Sequence, residues 1–169
     1  MSNPAPAFAA ELDAESAATR RLLERVPADK LSWKPHPKSM SLGQLAFHVA
    51  RIPGQMAQMA RKDGQDVSGA GEAPSPASAS EILPTLEAGL ADAKAFLAGL
   101  DESAARTTWR LTAGNREIFA IPRIGMIRSM MLNHWYHHRG QLTVYLRMLD
   151  VPLPIVYGRS ADENGFARA

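Results

Sequence analysis

Apolar residues recur every three or four positions along four stretches of the chain, which is the spacing of helices that bury one face. The first predicted helix covers roughly Ala5 to Val26 and ends at Pro27. The third covers roughly Ala79 to Leu100. The apolar faces are formed by Phe8, Leu12, Leu22 and Leu23 in the first helix and by Ile82, Leu86, Leu90, Ala93 and Leu97 in the third.

The second predicted helix opens at Ser41, and Gln44 follows at the spacing of a capping box. His48 lies between apolar positions three residues before it and four residues after it. It therefore belongs to the apolar face and should point inward. Pro53 should kink this helix or end its first segment, because proline has no backbone N–H to donate.

The fourth predicted helix has the longest regular pattern, and it ends at Val151-Pro152. Two histidines occupy its apolar stripe, which consists of Ile124, Ile127, Met131, His134, His138, Leu142, Tyr145 and Leu149.

The connecting segments carry weaker patterns. Residues 61–80 are rich in Gly, Ser, Pro and Ala, and this composition predicts a long surface loop. Residues 101–121 hold two short β-prone pieces around an Ala-Gly-Asn turn, which fits a short hairpin or an irregular loop equally well. Four helices without a convincing sheet predict an all-α fold, a four-helix bundle formed by a single domain over residues 1–169.

Composition limits the chemistry more than the fold. The chain has no cysteine, so any metal site must use histidine, carboxylate, carbonyl or water. The net charge is only +2, and no run of five like charges occurs, so a nucleic-acid partner is not indicated. No signal peptide and no apolar run of about 20 residues is recognisable, so we expect a cytoplasmic protein without a membrane partner.

The stretch "NHWYHHRGQL" holds three of the five histidines. At about 100° per residue, His134 and His138 lie about 40° apart on the apolar face of the helix, whereas His137 lies about 100° from His138. The first two can share one metal ion. His137 faces a flank and is expected to be a solvated or interface side chain.

A third ligand is needed, because two imidazoles usually form a weak site. His48 is the other histidine predicted to face inward, whereas His36 lies in a proline-rich loop. We therefore predict a divalent-metal site of His48, His134 and His138 with positions open for water or substrate. Zn, Ni and Fe all suit three imidazoles. The alternative is a set of buried histidines without a metal, and Gln141 could either orient a ligand or lie at the surface.

Two stretches of the sequence resemble the DinB-like (DNA-damage-inducible) superfamily. "HWYHHRGQLTVYLRMLDVPLPIVYGRSADE" is similar to the C-terminal signature of that family, and "LSWKPHPKSMSLGQLAFHVA" looks like its first motif. The resemblance implies a bundle of up-down-down-up topology, commonly dimeric. It also implies a divalent-metal site at His48, His134 and His138, and a residue that is not a ligand at His137.

The resemblance narrows function less than fold. Some relatives are similar to metal-dependent transferases or isomerases that use a low-molecular-weight thiol. We therefore expect a metal-dependent enzyme acting on a small-molecule substrate, such as a thiol-dependent S-transferase. A metal-dependent hydrolase, or a dimeric metal-binding or stress-response module without catalysis, remains open. No catalytic residue is identified: Glu11 or Glu15 could supply a base, or they could form a solvated face.

Overall fold

The computed structural model describes residues 3–163. Four long helical runs lie where the apolar spacing predicts them. Their bounds, together with those of a short helix before the sheet, are α1 Ala5–Leu23, α2 Leu42–Ala60, α3 Ile82–Ala98, α4 Glu102–Arg106, α5 Arg123–Met126, a π-helical stretch Ile127–Asn133, and α6 His134–Met148.

A three-stranded sheet accompanies the helices. Its strands are β1 Gly64–Asp66, β2 Thr108–Ala113 and β3 Arg116–Pro122, in the order β1-β2-β3. β2 and β3 form an antiparallel hairpin, and β1 pairs with β2 in parallel. Trp109 attaches the sheet to the helices, because its buried indole donates to the carbonyl oxygen of Met59 at 3.2 Å.

The prediction of an all-α four-helix bundle with up-down-down-up topology is therefore wrong. The chain is 57% helical and 10% strand, and its sheet is mixed. Of the two alternatives for residues 101–121, the structure shows the hairpin. The predicted loop at residues 61–80 contains β1, which is three residues long and has no apolar alternation to reveal it. Backbone pairing with β2 supplies its order instead.

Of the two outcomes predicted at Pro53, a kink or the end of a first segment, the end does not occur, because α2 continues through Pro53 to Ala60. Its first turn is a complete capping box: Ser41 Oγ accepts from the Gln44 amide, and Gln44 Oε1 accepts from the Ser41 amide. Further along, α2 approaches α3 closely at Gly54, where a Cβ would lie 2.8 Å from the Cα of Gly89.

The apolar core lies between α1, α2, α3 and α6; Trp109 of the hairpin belongs to it, and Leu111, Phe119 and Ile121 pack against it. Within residues 3–163, no helix combines the length and the hydropathy needed to cross a membrane.

Candidate metal centre

One tryptophan and one tyrosine of α6 hold this helix against α2 through hydrogen bonds. The buried indole of Trp135 donates to the carbonyl of Val49 at 2.9 Å. About three turns further along α6, the hydroxyl of Tyr145 donates to the carbonyl of Met40 at 3.3 Å. Because the residue number rises along α6 while it falls from Val49 within α2 to Met40 just before α2, the two helices run antiparallel.

The Trp135 hydrogen bond has its cause in Pro53. In a regular α-helix the carbonyl of Val49 would accept from the amide four residues later, but that residue is Pro53, which has no N–H. The carbonyl is therefore free in the interior, where an unpaired polar group is costly. Trp135 satisfies it. The bond joins the residues that directly follow His48 and His134, so it sets the distance between these two histidines.

The structure brings His48, His134 and His138 together. Nε2 of His48 lies 3.3 Å from Nε2 of His134. The ring centroids are 5.1 Å apart for His48 and His134, 4.6 Å for His48 and His138, and 4.5 Å for His134 and His138. One nitrogen from each ring can be chosen so that all three lie within 4.8 Å of one another. All three side chains are half-buried.

Hydrogen bonds on the far side of two rings determine which nitrogen carries the proton. Nδ1 of His134 lies 3.3 Å from the carbonyl oxygen of Met130, and Nδ1 of His138 lies 2.9 Å from Oε1 of Gln141. Both oxygens only accept, so each Nδ1 donates its hydrogen. The lone pair of each ring is then on Nε2, the atom available to a metal ion.

These residues fit a divalent ion. Two imidazole nitrogens held about 2.0–2.1 Å from one ion at tetrahedral angles lie about 3.3–3.4 Å apart. The observed separation between the Nε2 atoms of His48 and His134 is 3.3 Å. No carboxylate belongs to the group, so its donor set consists of neutral nitrogens.

Burial keeps the three imidazoles neutral. It lowers the pKa of His48 to about 4, with further contributions from His138, His134 and Arg51. It also lowers the pKa of His134 and of His138, against the smaller opposing effects of the Met130 and Gln141 hydrogen bonds. Near neutral pH the rings therefore keep the lone pairs that a metal ion requires.

The remaining histidines lie elsewhere. His137 is exposed, with its ring centroid 4.8 Å from that of His138, and His36 is exposed in the loop before α2. Glu11 and Glu15 do not form a merely solvated face. Glu11 binds the guanidinium of Arg128 at 2.6 and 2.8 Å, and Glu15 pairs with Arg139 at 2.6 Å. Both carboxylates are thus already neutralised by arginine.

Sequence reasoning missed Trp135 and the π-helical stretch that precedes His134. Two signals could have revealed Trp135: a buried indole needs an acceptor, and Pro53 leaves one carbonyl of α2 without a donor. The π-helical stretch Ile127–Asn133 has no such signal, because apolar spacing does not separate bonding to the fourth residue from bonding to the fifth.

Comparison with known proteins agrees with the resemblance to the DinB-like superfamily. The model of the DinB superfamily matches residues 11–142. The uncharacterized protein YrdA of Bacillus subtilis (strain 168) is 26% identical over 152 residues, which span 88% of this chain and 85% of the relative.

Two crystal structures share the fold. One is of the DinB-like protein YjoA from Bacillus subtilis, with a TM-score of 0.68, 20% identity, and coverage of 90% of this chain and 99% of that one. The other is of a DinB-like protein from Bacillus cereus ATCC 10987, with a TM-score of 0.67, 23% identity, and coverage of 89% and 95%. At these identities the likeness extends to the fold alone.

Proposed function

Because the chain belongs to the DinB superfamily, we propose that it is a divalent-metal-binding protein whose ligands are His48, His134 and His138. The observation that carries the proposal is the convergence of three neutral imidazoles with no carboxylate among them. Three protein ligands leave at least one position of a zinc, nickel or iron ion open, as in catalytic rather than structural sites.

We further propose that the protein is a metal-dependent enzyme, with a thiol-dependent S-transferase as the leading candidate. A bound ion would act as a Lewis acid and would lower the pKa of a thiol or water at its open position. The residues of the chain position the ligands: the two Nδ1 hydrogen bonds hold the rings of His134 and His138, and Trp135 holds α6 against α2. With Glu11 and Glu15 neutralised by arginine, deprotonation of the nucleophile would depend on the ion.

The first test is metal content, followed by activity. We expect about one equivalent of divalent metal per chain, and we expect His138→Ala and His134→Ala to abolish stoichiometric uptake. His137→Ala is the matched control, because this exposed imidazole lies next to the site without belonging to it. Unchanged uptake in His134→Ala would remove the metal centre from consideration.

Activity then separates the enzyme from the alternatives. The metal-loaded protein is assayed for conjugation of a small thiol to an electrophile and, separately, for hydrolysis of activated esters. Thiol-dependent turnover that disappears in His138→Ala supports the transferase. Hydrolysis without thiol supports a hydrolase. A fully loaded protein inactive in both assays supports a metal-binding module.

We also propose that each chain forms one domain over residues 1–169 and that two chains assemble as a homodimer. Support comes from α6, where Val144 and Met148 lie one turn apart and are 57% and 55% exposed. Apolar side chains in such a row commonly contact a partner. Light scattering of the wild type and of Val144→Glu tests this: a dimer that becomes a monomer agrees, and a monomeric wild type rejects it.

A further inference from the structure

Arg51 differs from the other arginines that lie near the core. Arg123, Arg128 and Arg139 each pair with a carboxylate. Arg51 is half-buried as well, yet among residues 3–163 its guanidinium has no hydrogen bond and no ion pair. The Cζ atom of Arg51 lies over the ring of Phe47, 5.7 Å from its centroid.

The position of Arg51 relates it to the metal centre. It follows His48 by three residues on α2, so the two side chains share a face of the helix and their Cα atoms are about 5 Å apart. The positive charge of Arg51 is felt at the imidazole of His48, where it disfavours protonation. On its other side Arg51 lines a hollow of about 280 Å³ between α2 and α3.

The hollow has a net positive charge. Its lining includes one carboxylate, that of Asp92, but both oxygens of Asp92 are bound by Arg61 at 2.7 and 3.1 Å. The amides of Gln55 and Gln58 are neutral. Arg51 is therefore left with one uncompensated charge in a partly desolvated position, which is unfavourable unless an anion completes it.

We propose that Arg51 binds the carboxylate of a small-molecule ligand whose other end reaches the open side of the site formed by His48, His134 and His138. A planar guanidinium fits a carboxylate with two parallel hydrogen bonds. One uncompensated positive charge matches the single negative charge of a carboxylate better than the double charge of a phosphate dianion. Arg51 and His48 are one helical turn apart on α2, so a short ligand can bridge the guanidinium and the histidine site. The inference rests on the proposed metal centre.

A pair of thiols tests it. Cobalt(II)-loaded protein is titrated with 3-mercaptopropionate and with neutral 2-mercaptoethanol, and the thiolate-to-cobalt absorption band reports binding. The decisive quantity is the ratio of the two dissociation constants. A charge-assisted hydrogen bond predicts that the ratio favours the carboxylate about tenfold in the wild type. Arg51→Gln should abolish that preference, and Arg51→Lys should retain part of it.

Arg116→Gln is the matched control. It removes the same charge from an exposed position on the hairpin, so it should keep the wild-type ratio. A ratio that is equal in the wild type and Arg51→Gln, or a lack of response to both thiols, overturns the inference while the metal centre stands. If the wild type shows no cobalt absorption at all, the metal centre itself fails, and the inference fails with it.

Discussion

The last helical run, Arg123 to Met148, directs polar side chains into the protein on two of its faces. The side chains of the two faces have different kinds of partners. Toward α2, His134 and His138 meet His48 in a group that includes no carboxylate of residues 3–163. Toward α1, Arg139 is 1% exposed and bonds to the carboxylate of Glu15 and the hydroxyl of Thr19. His138 and Arg139 are adjacent in sequence, and a rotation of about 100° separates their environments.

The difference in partners separates a candidate ligand site on the α2 face from structural ion pairs on the α1 face. On the α1 face, the carboxylate of Glu15 also accepts from Tyr157, and that of Glu11 accepts from Arg128 and Tyr136. Each charge there has its partner within the chain. On the α2 face, the Nε2 atoms of His48 and His134 lie 3.3 Å apart, and no carboxylate among residues 3–163 belongs to the group. The first face needs no ligand, whereas the second carries the donor atoms of the proposed metal centre.

The largest expected effect comes from breaking the α1 face. Arg139→Met keeps most of the side-chain volume but leaves Glu15, whose side chain is 18% exposed, without its positive partner. Removal of one member of a buried pair typically costs about 3–5 kcal/mol. We expect that loss in the free energy of unfolding, measured by urea denaturation, and a metal affinity of the folded protein within a few-fold of the wild type.

The double variant Arg139→Met/Glu15→Gln is the control. It removes both charges, so it should recover part of the stability lost in the single variant. A large loss of metal affinity in either variant would contradict the separation of the two faces.

The next largest effect is a difference in metal affinity between variants of two buried tryptophans. Both donate to carbonyls of α2: Trp135 to Val49 beside the metal centre, and Trp109 to Met59 at the other end of the helix. Trp135→Phe leaves the carbonyl of Val49 unsatisfied and a small void, so it should cost about 2–3 kcal/mol of stability. Trp109→Phe leaves a comparable void, but the carbonyl of Met59 still accepts from the amide of Lys62 at 3.2 Å, so its cost should be somewhat smaller. Trp135→Phe alone should also weaken metal binding, by roughly tenfold, because the spacing of His48 and His134 relaxes.

Isothermal titration with zinc measures the affinity, and Trp109→Phe serves as the matched control for stability. The variant Pro53→Ala sharpens the test. Its new amide can satisfy the carbonyl of Val49, so the effect of Trp135→Phe on that background should shrink. Equal zinc affinities in the two tryptophan variants would show that Trp135 has no part in setting the site.

The two faces should lose their contributions to the free energy of unfolding in different pH ranges. In the metal-free protein the pKa of His48 is lowered from 6.5 to about 4, so the unfolded chain binds more protons than the native state in that interval. The free energy of unfolding should therefore be constant above pH 6.5 and should fall as the pH drops to about 4. With allowance for solvent screening, the loss is on the order of 2 kcal/mol.

Glu11 behaves in the opposite sense. The hydrogen bond from Arg128 lowers the pKa of its carboxyl below the ordinary 4.5, so its contribution is complete above that pH and is lost below it. His48→Gln should remove much of the decline between pH 6.5 and 4 and leave the lower decline in place. Urea denaturation at a series of pH values measures both, and an unchanged upper decline in His48→Gln would contradict the assignment.

Sequence periodicity predicted the helices because each buries an apolar stripe, and it failed for the sheet. Strand β1 has the sequence Gly64–Asp66, which carries no side-chain pattern, and its order comes from pairing with β2, more than 40 residues away. For the site, helical spacing sufficed to select His134 and His138. The inward orientation of His48 on its own helix also predicted the third ring. The Pro53–Trp135 complementarity and the unpaired state of Arg51 depend on which helices become neighbours, and only tertiary structure fixes that.

The smallest effect concerns Gln141, whose two expected roles were an orienting residue and a surface side chain. Its Oε1 lies 2.9 Å from Nδ1 of His138, the geometry of an orienting contact. Loss of such a contact usually weakens metal binding by about 10–100-fold, and because Gln141 is only half-buried, Gln141→Ala should lie near the lower end, about 1.4 kcal/mol. Gln141→Glu should retain or strengthen binding, because a carboxylate accepts the same hydrogen bond more strongly. Zinc titration of both variants decides the matter: if Ala and Glu behave like the wild type, His138 is held by its own helix, and the α2 face is completed by the three rings and Trp135 without Gln141.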